Sequence, residues 1–135
     1  MANRFLQQFS YFFERNVVTI FAKALIGAAG AVSSFKGGGL ASVVKESTAG
    51  QYSITLSDKY NQLLKVEGAV VSATISGVAA VQVLENPASI QADFLADKTF
   101  KIQCVDYTGA AVNPPSGAQI ELEIKVRNST SGPFD

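Results

Sequence analysis

The chain has 135 residues, with eleven Lys and Arg balanced by eleven Asp and Glu, one cysteine and no histidine. A domain of this size buries about two-thirds of the surface its unfolded chain exposes, so it can carry its own core. Zero net charge, with basic residues scattered from Arg4 to Arg127, leaves no patch for a phosphate backbone, and the missing histidine and lone cysteine exclude a Ser-His-Asp triad, a His-ligated metal, a Cys-based zinc site and an intrachain disulfide.

Six of the thirteen aromatic side chains fall in the first 21 residues, at Phe5, Phe9, Tyr11, Phe12, Phe13 and Phe21. Residues 1–15 form an arm in which Phe5, Phe9, Phe12 and Phe13 recur at helical spacing. The arm has no strong cap and is too short to be stable alone, so it is expected to take its conformation from a surface it touches. Aromatic side chains are common interface anchors, and Phe5, Phe9, Tyr11, Phe12 and Phe13 are the candidate partner contacts. Packing of an amphipathic helix on the chain's own body is the alternative.

Lys23 is the only charge to interrupt the apolar run Val17 to Val32, and Ala29-Gly30-Ala31 fits a small-x-small cleavage site. Lys23 within the run and Glu14 before it argue against a signal peptide, and the run is short and charged for a membrane span. Val17 to Ile26 is β-branched and reads as the first strand, stopping at Gly27-Ala28-Ala29-Gly30. Gly37-Gly38-Gly39 has neither the Lys-Ser/Thr nor the helix of a phosphate cradle and reads as a flexible turn, with a strand resuming over Leu40 to Val44.

Tyr52 to Ser57 and Ile120 to Arg127 alternate apolar and polar side chains, the pattern of half-buried antiparallel strands. Glu121 and Glu123 lie on the outer side of the second, where charge keeps a strand soluble and discourages edge pairing. A capped helical turn is expected over Tyr60 to Leu64 after Ser57 or Asp58. Further strands are expected over Gly68 to Ile75, Val78 to Leu84 and Thr99 to Val105, with Cys104 a buried, inert thiol. Asp106 to Gly117 is a loop stiffened by Pro114 and Pro115, and Tyr107, Asn113 and Pro114 are its candidate contacts. The tail, residues 128–135, is polar and turn-forming and is expected to need docking for order, with Phe134 its candidate contact. Its Asn128-Ser129-Thr130 fits a glycosylation sequon, a reading that would need secretion.

These elements predict a mainly β chain: a compact antiparallel β-sandwich or barrel over residues 16–127, an extended or partly helical N-terminal arm, and a short tail. Asp93, Asp97 and Asp106 are isolated carboxylates with nothing to bring two of them into a cleft, so neither enzyme activity nor a cofactor or metal is expected.

Three stretches carry a resemblance: Phe9-Ser10-Tyr11-Phe12-Phe13-Glu14-Arg15-Asn16-Val17-Val18, Gly50 through Tyr60, and Val105-Asp106-Tyr107-Thr108-Gly109-Ala110-Ala111 on to Asn113-Pro114. Together with the arm-plus-β-body layout, the chain resembles the small capsid decoration, or cement, proteins of tailed bacteriophages. The resemblance implies a structural virion protein, made in the host cytoplasm. Its site is the outside of an icosahedral shell, where it holds neighbouring major capsid protein subunits, often as a homotrimer. It carries over no residue-level function, and the charge and hydropathy above give no reason to expect nucleic acid or membrane as partner. The alternative is a tail- or vertex-associated β-domain that binds carbohydrate or protein through the 106–117 loop.

Overall fold

The computed structural model describes residues 17–60, 62–74 and 77–127. Eight strands and one helix follow in order: β1 (Val17–Ile26), β2 (Val32–Lys36), β3 (Leu40–Lys45), β4 (Gln51–Leu56), β5 (Gln62–Val71), β6 (Ala80–Val83), α1 (Ile90–Asp97), β7 (Thr99–Val105) and β8 (Gln119–Arg127). They form two antiparallel four-stranded sheets, ordered β2-β1-β8-β5 and β3-β4-β7-β6, packed face to face as a β-sandwich.

Period-two alternation builds the core. Ile20, Ala22, Ala24 and Ile26 of β1 point inward beside Ile120, Leu122, Ile124 and Val126 of β8, and Tyr52, Ile54 and Leu56 of β4 meet Phe100, Ile102 and Cys104 of β7 from the other sheet. Phe94 of α1 closes the layer against Phe100, with ring centroids 6.5 Å apart. Full burial of one such ring contributes roughly 2–3 kcal/mol. No polar or charged residue is buried among the described residues, so the core asks for no internal ion pair.

The first strand, the Gly37–Gly39 turn, and the strands ending at Val105 and Arg127 match the sequence reading. The strand expected over Gly68 to Ile75 is the second half of β5, which begins at Gln62 and ends at Val71. Three further elements differ. Tyr60 to Leu64 was expected as a helical turn, yet β5 starts at Gln62, pairing Gln62 with Arg127 and Leu63 with Val126. A five-residue helix gains too little alone, and burial of Leu63 in the sandwich outweighs it. The helix lies instead at Ile90–Asp97, where Ile90 packs on the core and Phe94 is buried in it; no side chain caps its start, and Lys98 ends it in a left-handed conformation with its N–H on the Phe94 carbonyl. Val32–Lys36, given no element in the sequence reading, pairs with β1 as an edge strand.

The connections give the sandwich two distinct poles. At one, Val17, Arg127 and Gln62 lie side by side across β1, β8 and β5. The 106–117 loop sits at the other, where Ala118 accepts from the Ile26 N–H and Tyr52 reaches Gly30. The length of β1 separates the poles by about 30 Å.

Candidate interaction surface

The loop between β7 and β8 folds back on the body. Its first turn is organised by Asp106, whose carboxylate accepts from the Thr108 N–H (2.8 Å), the Thr108 hydroxyl (2.6 Å) and the Ala110 N–H (3.1 Å). These bonds, the Thr108 hydroxyl foremost, hold the Asp106 carboxyl below its usual range. The backbone closes the same turn with Asp106 N–H on the Ala110 carbonyl, and Val105 bridges to Ala111. Tyr107 stands at its tip, 91% exposed.

The second half of the loop is tied to the fold. Asn113 Oδ1 accepts from the Gly50 N–H at 2.7 Å, and Val112 N–H donates to the Cys104 carbonyl. Gly50, at φ +68°, leaves no room for a side chain: a Cβ there would come 2.4 Å from the Val112 carbonyl oxygen. Tyr52 donates its hydroxyl to the Gly30 carbonyl at 2.6 Å, with its pKa raised by burial, and a Cβ on Gly30 would strike Asn113. Of the loop residues read as contacts, Tyr107 therefore projects free. Asn113 is engaged in holding the loop down, and Pro114 is fully buried beneath it. Phe5, Phe9, Tyr11, Phe12, Phe13 and Phe134 lie outside the described residues.

The outer face of the β2-β1-β8-β5 sheet mixes charge with bare apolar side chains. Lys23 pairs with Glu121 (3.5 Å), Lys65 with Glu67 (2.5 Å) and Lys125 with Glu123 (3.8 Å), all at the surface, where such pairs contribute little stability. Between them stand Phe21, 67% exposed, with Leu25 and Val71. Strand alternation was the available signal: once Ile20 and Ala22 are inward, Phe21 must face out. The opposite sheet's outer face is mostly uncharged and polar, with Thr55 and Thr99 hydroxyls 3.0 Å apart and Gln51 registered on Gln103.

A cleft of about 340 Å³ opens at the Val17 pole, lined by Leu63, Leu64 and Val66 of β5, Val83 of β6, and Pro87 and Ile90 at the entry to α1, with Lys65 and Glu85 on its rim. It exists because β5 carries a bulge between Leu63 and Lys65, while Gln91 holds α1 at the strand's edge. The Gln91 amide donates to the Leu63 carbonyl (2.8 Å) and accepts its N–H (2.9 Å), taking the place of a neighbouring strand. Sequence reasoning missed this cleft, because a bulge and an uncapped helix leave no periodic signal.

Cys104 is free and buried, its thiol pushed up to about 11 by desolvation, as expected for an inert packing residue. Among the described residues no three acidic or cysteine side chains gather as a metal site, and no helix is long and apolar enough to cross a membrane. The chain matches no family model, no curated protein and no solved structure.

Proposed function

We propose that this protein is a structural virion component that binds the outside of a phage capsid and clamps neighbouring major capsid protein subunits as a homo-oligomer, with a trimer the expected form. The observation that supports this reading most is the polarity of the sandwich. The aromatic segment 1–16 and the tail 128–135 both join the body at one pole, because Val17 is registered on Arg127. Attachment through that pole turns the Tyr107 loop outward.

The energetics favour an oligomer. Burying five arm aromatics yields on the order of 10 kcal/mol at about 2 each. Ordering about a dozen arm residues costs a similar amount. A single arm therefore binds weakly, and linkage of several arms in one oligomer makes later contacts intramolecular and supplies the affinity.

Deleting residues 2–15 should leave the β-body folded, as judged by an unchanged cooperative melt, and abolish binding to shells. A truncated protein that still decorates shells at full occupancy overturns the reading.

A second reading rests on the Asp106 turn, which presents the Tyr107 ring on a stiffened tip: a tail- or vertex-associated domain that recognises carbohydrate or protein there. Tyr107→Ala separates the two. It leaves shell occupancy unchanged under the first reading and removes surface-ligand binding under the second.

A further inference from the structure

We infer that the outer face of the β2-β1-β8-β5 sheet is the contact between copies of this chain, the basic half of one copy lying against the acidic half of the next. The inference rests on the homo-oligomer of the capsid reading and gives that oligomer its interface. Three observations carry it. The first is the distribution of charge. Across the sheet, Lys36 of β2 is registered on Lys23 of β1, Lys23 on Glu121 of β8, and Glu123 of β8 on Glu67 of β5. Lys23 and Lys36 line a shallow groove of about 350 Å³ with Leu25 and Phe35, whereas Glu67, Glu121 and Glu123 line another of about 340 Å³ beside Phe21. One face therefore carries a basic groove next to an acidic one.

The second observation is that each half is charged against itself. Like charges directly opposite on neighbouring strands repel, and Lys23 with Lys36 and Glu67 with Glu123 are both such pairs. The ion pairs within the chain are exposed and weak, and Lys36 makes none among the described residues. A copy that brings the opposite charge to each half relieves both. The third is apolar surface. Phe21, Leu25 and Val71 are bare on this face, with Phe21 at the boundary of the two halves, where an interface needs its apolar centre.

The occupant is a second copy because a uniformly acidic or uniformly basic partner would suit one half and be repelled by the other. Cyclic closure about an axis along the strands sets each row of the sheet level with the same row of its neighbour. Lys23 and Lys36 then meet Glu121, with Glu123 and Glu67 one row away, and the Lys125 and Lys65 pair falls level with Thr19 and not with another cation. The same closure points every Val17 pole one way, as attachment through that pole requires.

The test is sedimentation of the full chain over micromolar concentrations, with no shell present. The unsubstituted protein should associate, and less so as salt is raised. Lys23→Glu with Lys36→Glu makes both halves acidic, and Glu67→Lys with Glu121→Lys makes both basic. Each pair should weaken association at least about 100-fold while the melt stays cooperative. All four substitutions in one chain exchange the halves and should restore association, which a merely unfolded variant cannot do. A protein that stays monomeric, an oligomer indifferent to these reversals, or a folded four-fold variant that does not reassociate overturns the proposal. The capsid reading fails separately: an oligomer built on this face that leaves shells bare sinks that reading and keeps this one, and shells decorated regardless of the reversals do the opposite.

Discussion

At the scale of single residues, Asn113 shows how a side chain read as a contact can belong to the scaffold. Its Oδ1 takes the Gly50 N–H, and Gly50 in turn accommodates the Val112 carbonyl only because it lacks a Cβ. Removing the acceptor strands a partly buried donor, which costs about 1–3 kcal/mol. Asn113→Ala should lower the unfolding free energy by that amount in urea titration, with the m-value unchanged. Asn and Pro in a long loop suggest turns and exposure, and the sequence alone does not say which loop residues fold back. Tyr107 and Asn113 are six positions apart with similar local signals. Only the tertiary bond to Gly50 tells them apart.

Among elements, β5 and α1 depend on one another. The Gln91 amide supplies both a donor and an acceptor to Leu63, closing part of an edge that would otherwise present open backbone groups. Gln91→Ala leaves the Leu63 N–H and carbonyl without these partners, and a loss of about 1–3 kcal/mol is expected, measured as a lower Tm. Hydrogen exchange should quicken first at Leu63, before the β1–β8 ladder is affected. Strands with strict alternation, β4 and β8, were legible because each residue's side of the sheet follows from its position. The start of β5 was not: its bulge breaks the period at Leu64, and Gln62 and Leu63 imitate a capped turn after Ser57-Asp58. Helix α1 was hidden for the opposite reason. It buries essentially one side chain, Phe94, so no stripe marks it.

For the whole molecule, the sandwich has a single core, and Cys104 is buried in it near the end of β7, bonded through its backbone to Gly50 and Val112. With its thiol pushed up to about 11, it is doubly shielded from reagents that need the thiolate. Its modification by a thiol reagent at pH 8 should therefore track global opening: negligible in the native protein, complete in denaturant, and rising with urea along the same curve as the loss of β-structure. Fast modification of native protein would mean that sheet β3-β4-β7-β6 opens on its own. The fold class was readable from the alternating strands and the glycine turns between them, whereas the pairing order was not, since β1 with β8 and β4 with β7 are joined only by distant contacts.

The Asp106 turn also has a practical use. Gly109 sits at its crest with open space around it, about one β1 length from the strand ends Val17 and Arg127. Foreign peptide spliced in between Thr108 and Ala110 would ride on a rigid pedestal, clear of the region to which the aromatic segment is joined, so cargo could be displayed without disturbing whatever holds the protein down.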